Sequence, residues 1–565
     1  MKRDKFKYIF GVAVVALATS LTQPSVMAQI SKQVEVTKAY IPEITPAQRL
    51  SHTPDMSDTV RLRPEISYSV EPQSIESRLA QSIYQPTDIE YVEVRKREDF
   101  YIKAGLGLPF QTEGDLYFSK PVNESSYLLG YISHAGQYAD IEDVSASRSH
   151  NKFGVAYASE LSQNREFGMD FSYNIDTWSR YATPSPQSAD PRYNTLALSA
   201  AYSDKFVQWS QWNWGVDLSM DRFWNNSDVN STELDFVTYV GREVGSGRFV
   251  ASLDFETIGG GGDSAYDNYG NNTLTVGAKY GIRLFNNIKS TFGLAYGYDR
   301  IKMGSESETH GYLLPSLSMK HEVGRAISPF FEVESEILRN DYASLVEVNP
   351  YIISGGFASV NTVDYNMRVG VEGIVAANKL SYRLSANYKI SDNALYWALV
   401  EQAYAIDADK MGVDNYYVVT AATRKSLALN LESEYRASRN FGITVDMSLS
   451  KYFDSERVAW SNSLPAFGMG IGAKYTAGAV TFDLSADFEG VAYTTLITQS
   501  ETLGEVMTDV QTPTTVNLSF GADWRVNNRL AIYLRGDNLA NADLYRWMGY
   551  KEYGIGVIAG VKVEF

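Results

Sequence analysis

The chain closes on Gly554–Phe565, GIGVIAGVKVEF, and the alternation in this stretch decides the fold. Ile555, Val557, Ala559, Val561, Val563 and Phe565 fall on one side of an extended backbone. Gly556, Ile558, Gly560, Lys562 and Glu564 fall on the other. An unbroken period of two belongs to a β-strand and not to a helix. One face is aliphatic, and it ends on an aromatic residue that carries the C-terminal carboxylate.

The same alternation recurs upstream. In Phe441–Leu449, Phe441, Ile443, Val445, Met447 and Leu449 oppose Gly442, Thr444, Asp446 and Ser448. Leu380–Lys389, Val480–Glu489, Val516–Arg525, Leu274–Arg283 and Leu427–Tyr435 repeat it. The second face carries charges, amides, hydroxyls and glycines. In a sandwich that face would be outside; in a barrel in lipid it lines the lumen. Connection lengths separate the two. Short connections recur at Ser162–Asn164, Val244–Gly247, Phe285–Asn287, Ala376–Asn378, Ala437–Arg439, Thr476–Ala479 and Val526–Asn528. Long ones lie between them, at Tyr181–Asp190, Gly259–Gly270, Arg339–Asn361, Asp454–Leu464, Ala492–Thr512 and Asn538–Tyr553. Short turns on one rim and long loops on the other is the pattern of an outer-membrane barrel. Counting back from Phe565 predicts about 22 crossings over residues 99–565. The fold class expected is therefore all-β: a transmembrane antiparallel barrel with a short N-terminal arm. A barrel that wide encloses a lumen that normally has to be plugged.

Composition agrees. Mean hydropathy is −0.24, yet the 565 residues include 39 Tyr, 25 Phe, 9 Trp and 42 Gly. Lipid-facing and lumen-facing residues cancel in any window of a membrane barrel. The absence of cysteine removes disulfides and thiolate chemistry. Residues 1–28 read as a cleaved signal peptide. Lys2, Arg3, Lys5 and Lys7 are basic, Tyr8–Leu21 is apolar, and Val26-Met27-Ala28 precedes the cut. Its removal takes the formal charge from −17 to −20, which argues against nucleic acid as a partner. Residues 29–98 hold Pro42, Pro46, Pro54, Pro64, Pro72 and Pro86. They read as a periplasmic or lumenal arm with one short helix at Ser74–Tyr84.

Asn527–Phe565 resembles the end of TonB-dependent receptor barrels. Its upward strand ends in Asn538-Leu539, a loop with Tyr545 follows, and a Gly-led last strand closes on an aromatic residue. The resemblance implies a Gram-negative outer-membrane address, surrounding outer-membrane lipid, and Phe565 as the signal for the barrel-assembly machinery. It implies transport or reception of a solute across the outer membrane. The chain departs from the family before the barrel. Residues 29–98 are too few for the family's plug, and Val34–Thr37 is a weak match to its energy-coupling box. The departure keeps a second function open: a non-transporting subunit of an outer-membrane assembly, with the arm docking a periplasmic or lipoprotein partner.

No catalytic, metal or cofactor site stands out. His52, His134, His150, His310 and His321 show no ligand spacing, and no hydrolase elbow occurs. Gly259–Gly262 lacks the Lys-Ser/Thr of a phosphate loop, and Ile406–Asp414 reads as a solvated acidic loop. Arg535-Gly536-Asp537 sits at a strand end. The alternation assigns Arg283, Arg368, Arg383, Asp446, Asp483, Asp487, Asp523, Arg525 and Arg535 to the lumen, with Asp364 and Glu372. Trp178, Trp209, Trp212, Trp214, Trp397 and Trp524 are candidates for interface girdles. Trp224, Trp460, Tyr545 and Trp547 are loop aromatics that could equally stack on sugars.

Overall fold

The computed structural model describes residues 100–565, apart from 142–143, 163, 182–189, 263–267, 286, 359, 408–409, 455–458 and 501–503. The expected signal peptide, the arm and its helix lie outside the described residues, as does Val34–Thr37.

Twenty-two strands pair in sequence into one closed antiparallel ring. The first, Phe100–Leu108, pairs with the last, Gly556–Glu564, from Tyr101 opposite Glu564 to Leu108 opposite Val557. Closure follows from the solvent. In lipid each unpaired backbone N–H or C=O costs several kcal/mol, so a spanning sheet cannot keep an edge. The expected strand number is the one found.

The two faces behave as the alternation requires. Leu484, Trp524 and Val561 are 55%, 50% and 40% exposed on the outside, while their neighbours Thr481, Asp523 and Tyr533 point inward. Large exposed aliphatics would be a defect in water; here they are the lipid contact. One rim carries connections of only two to eight residues. Gly245 and Gly478 hold positive φ at two of these turns, +62° and +61°, where a side chain would be strained. Phe565 returns to this rim, its N–H donating to Phe100 O at 2.9 Å. This is the periplasmic rim, and the long loops open on the other side.

Two neighbouring strands are far longer than a membrane needs. Leu380–Asp407 has 28 residues and Lys410–Ser438 has 29, against about ten for a span. Their outer halves stand above the mouth as a hairpin. A second loop hairpin, Ala492–Ser500 with Gly504–Thr512, docks on it through a parallel pairing of Ala398–Glu401 with Thr495–Thr498.

The closing seam has its own packing. Tyr533 is 1% exposed and lies flat over the last strand. A Cβ added to Gly560 would run into the Tyr533 hydroxyl and Ala104 O, and one on Gly105 would meet the same hydroxyl. The two glycines let one ring cross both seam strands. Lys103 and Lys562 stand 5.4 and 5.1 Å from its centroid, which adds cation–π attraction. Gly560→Val should therefore destabilise the folded barrel by about 1–3 kcal/mol through overpacking, read as a lower midpoint of heat-modifiable electrophoretic mobility. Gly259→Ala, with nothing within 4 Å of the new Cβ, should leave that midpoint unmoved.

Candidate functional site at the barrel mouth

The connection spanning residues 339–361 folds inward as a strap. Asp341 starts a helix, its Oδ1 accepting from Ala343 N and Ser344 N at 3.0 and 3.2 Å. That is a standard N-cap, and it satisfies two otherwise orphan donors. The helix Tyr342–Val348 buries Tyr342, Leu345 and Val346, and Pro350 follows its end. Tyr351 and Ile352 are then 3% and 0% exposed.

Four chain segments meet on the strap. Tyr351 stacks on Tyr550 with centroids 3.5 Å apart and planes at 10°. Trp547 packs against Trp397 and Tyr417, centroids 5.4 and 5.1 Å away. Tyr193 O–H donates to Pro350 O at 2.7 Å. Tyr417 N–H donates to Tyr351 O at 2.9 Å, and Ile353 N–H returns to Tyr417 O at 2.8 Å. Each such ring pair stabilises by about 0.5–1.5 kcal/mol beyond its area burial. Burial, with Tyr181 and Glu552 nearby, holds the Tyr351 phenol well above its ordinary pKa. The phenol is neutral and can pack. Burial pushes Tyr553 up to about 12, and its hydroxyl donates to Ala139 O and Ala146 O, 3.0 and 2.8 Å away.

The Asn-Leu pair has a job here. Asn538 is 1% exposed; its amide donates to Ala542 O and Tyr553 O and accepts from Ala542 N, all at 2.9–3.0 Å. One side chain thus folds both ends of the loop that delivers Trp547 and Tyr550.

The polar fastener lies at the root of the strap. Arg339 reaches two neighbouring strands, Asn230–Val244 and Gly247–Gly261. It pairs with Glu233, with Glu256 at 3.1 Å, and with Asp235 at 3.8 Å. Asp221 stands opposite Glu233 in register, and Asp235 opposite Glu256. Carboxylate oxygens of Asp221, Glu233 and Asp235 lie within 4.8 Å of one another. Such like charges repel when unscreened, and Arg339 supplies the positive charge among them. Burial alone would lower its pKa, but Glu233, Glu256, Asp341 and Asp235 reverse that and hold it above the ordinary value.

The residues named from the sequence as lumen-facing lie in separate groups. Arg368 and Arg383 each lie 3.1 Å from Glu332, and Arg383 reaches Glu372 at 3.5 Å. Asp364 pairs with Lys389 at 2.5 Å. Asp523 pairs with Lys562 and stands 3.7 Å from Arg535 beside the seam. Arg283 meets Glu322 at the periplasmic rim, 3.5 Å away. Asp446 opposes Glu432, Asp483 opposes Lys474, Asp487 opposes Asn517 and Arg525 opposes Ala531. None of these touches the strap's arginine. Sequence reasoning missed the Arg339 group and the aromatic lid. The cap at Asp341 followed by an apolar run was the one local signal. Trp178 and Trp397 turn into the lid rather than a girdle, as does Trp547, and Trp224 stacks on Tyr173. Side chains at 402–414, and residues 263–267 beside Gly259–Gly262, lie outside the described ones.

A closed 22-strand barrel with its mouth folded over by loops is the fold of TonB-dependent outer-membrane receptors. Solved structures carry the likeness. The FrpB iron transporter from Neisseria meningitidis superposes with a TM-score of 0.65 at 11% identity, covering 84% of this chain and 82% of that one. The ferripyoverdine receptor of the outer membrane of Pseudomonas aeruginosa gives 0.60 at 10%, over 83% and 72%. The copper transporter OprC gives 0.59 at 10%, over 82% of each. No family model and no curated protein matches the sequence.

Arg339→Gln should release the strap, because breaking this half-buried cluster leaves uncompensated carboxylates and costs about 1–3 kcal/mol. Amide hydrogen exchange over 342–353 should rise sharply in this variant. Arg339→Lys, which keeps the charge but not the planar fork, should fall between.

Proposed function

We propose that the protein is a gated outer-membrane port that transports or receives a solute. The observation that carries this is the pairing of a 22-strand bore with a strap that covers its outer mouth. A bore of that size serves passage, and a lid held by side-chain contacts and two backbone bonds can open and reclose. The functions of the solved neighbours, iron and copper transport and ferripyoverdine reception, support a transport role over an enzymatic one.

The test uses the cysteine-free background. Ile352 and Tyr417 form a β-bridge, close enough in such ladders for a disulfide. Cells carrying a barrel with residues 342–358 replaced by a Gly-Ser linker should become vancomycin-sensitive. The purified full-length variant should conduct in planar bilayers where the parent does not. Added to Arg339→Gln, whose strap is released, an oxidised Ile352→Cys/Tyr417→Cys pair should keep the barrel closed, and its reduction should open it. A strap-less barrel that neither conducts nor sensitises cells would reject the port and favour a non-transporting subunit. Recovery of a stoichiometric periplasmic partner bound through residues 29–98 would then identify that role.

A further inference from the structure

The connection between Arg192–Asp204 and Asn213–Asn225 is the longest on the periplasmic rim among the described residues. It straddles the wall. Phe206 and Trp209 turn to the lumen side, where Phe206 packs on Tyr239 at 5.6 Å and Arg248 lies 4.8 Å from the Trp209 ring. Trp212 and Trp214 turn out and are 55% and 44% exposed. Val240 pairs with Trp214 in register and Gly241 with Asn213, so Arg242 emerges beside Trp212 on the lipid side. Its guanidinium lies 5.1 Å from the Trp212 centroid. Phe249 opposes it on the next strand, and Tyr280 opposes Phe249 in turn. Tyr202 packs on Trp214 at 4.6 Å.

Arg242 therefore stands as a cation inside an aromatic belt, and no carboxylate among the described residues pairs with it. Arg165, Arg283 and Arg436 of this rim pair with Asp204, Glu322 and Glu434. Arg248, Arg439 and Arg529 have no such partner among the described residues either, but of these rim arginines Arg242 is the one set over an exposed lipid-side Trp ring. Glu243, its chain neighbour, points to the opposite face. Tryptophan belts sit at headgroup depth. A guanidinium held there without an internal anion takes its counter-charge from the interface, and its planar fork matches two phosphate oxygens.

We infer that Arg242, with Trp212 as its platform, binds the phosphate of an anionic phospholipid in the periplasmic leaflet. This does not depend on whether the barrel conducts. The test titrates the full-length protein in detergent with phosphatidylglycerol, phosphatidylcholine or inorganic phosphate, read by native mass spectrometry. Quenching of tryptophan fluorescence by brominated lipids gives a second readout. Wild type should retain phosphatidylglycerol preferentially, and Arg242→Gln should weaken this about tenfold, the loss of one charge-assisted contact. Arg242→Lys should be intermediate and Arg165→Gln unchanged, all with normal heat-modifiable mobility. Equal retention by Arg242→Gln would overturn the assignment. So would wild-type quenching that is equal for brominated phosphatidylglycerol and phosphatidylcholine. Displacement of the lipid by inorganic phosphate would make this a general anion site and not a lipid one.

Discussion

Everything in this molecule depends on one backbone pairing, that of Phe100–Leu108 with Gly556–Glu564. Without it, two edges would face lipid with no water to satisfy them. The partners lie at opposite ends of the described chain, so the barrel closes only after all intervening strands have been laid down. The seam is reinforced accordingly. Gly105 and Gly560 clear a path for Tyr533, and Lys103 and Lys562 gather around its ring. Glycine weakens a strand interior in general. Here the lost β-propensity is offset by a fully buried aromatic that bridges both strands.

The two rims solve opposite problems. The periplasmic rim is economical, with tight turns, and it exposes Trp212 and Trp214 on its outer side. The outer rim is lavish, and its long loops turn inward. Two fasteners of different chemistry hold them. The aromatic one spreads its contribution over Tyr351, Tyr550, Trp547 and Tyr417, so no single ring decides the outcome. The polar one concentrates on Arg339, whose removal would expose several carboxylates to one another at once. An aromatic cluster tolerates sliding; an ion pair in a narrow setting has nearly two states. Together they tie the strap down at two places by unrelated chemistry.

The barrel was legible because its signals are local. Period two in Gly554–Phe565 or Val480–Glu489 needs only neighbouring residues, and turn lengths repeat along the chain. The lid was not legible for the converse reason. Tyr351 meets Tyr550, and Arg339 meets Glu233, across separations that no periodicity marks. Trp397 shows the cost: on a strand, at alternating spacing, it reads as a girdle residue. The strand in fact runs far past the membrane and turns that ring into the mouth. The lumen charges fell between these cases. Alternation places Arg368 and Asp523 on the inner face, but only the fold shows that Glu332 and Lys562 are their partners.

The strap is not merely laid against the tall hairpin; its backbone is joined to it. Residues 351–353 bond to both sides of Tyr417, and the same hairpin accepts Thr495–Thr498 along its other strand. Mouth, hairpin and outer loop thus share one continuous sheet. A strand of 28 residues extends some 90 Å at about 3.3 Å per residue. A small displacement at its root becomes a wide sweep at its tip. Moving the hairpin away from the strap would therefore have to break the bonds at Tyr417 first.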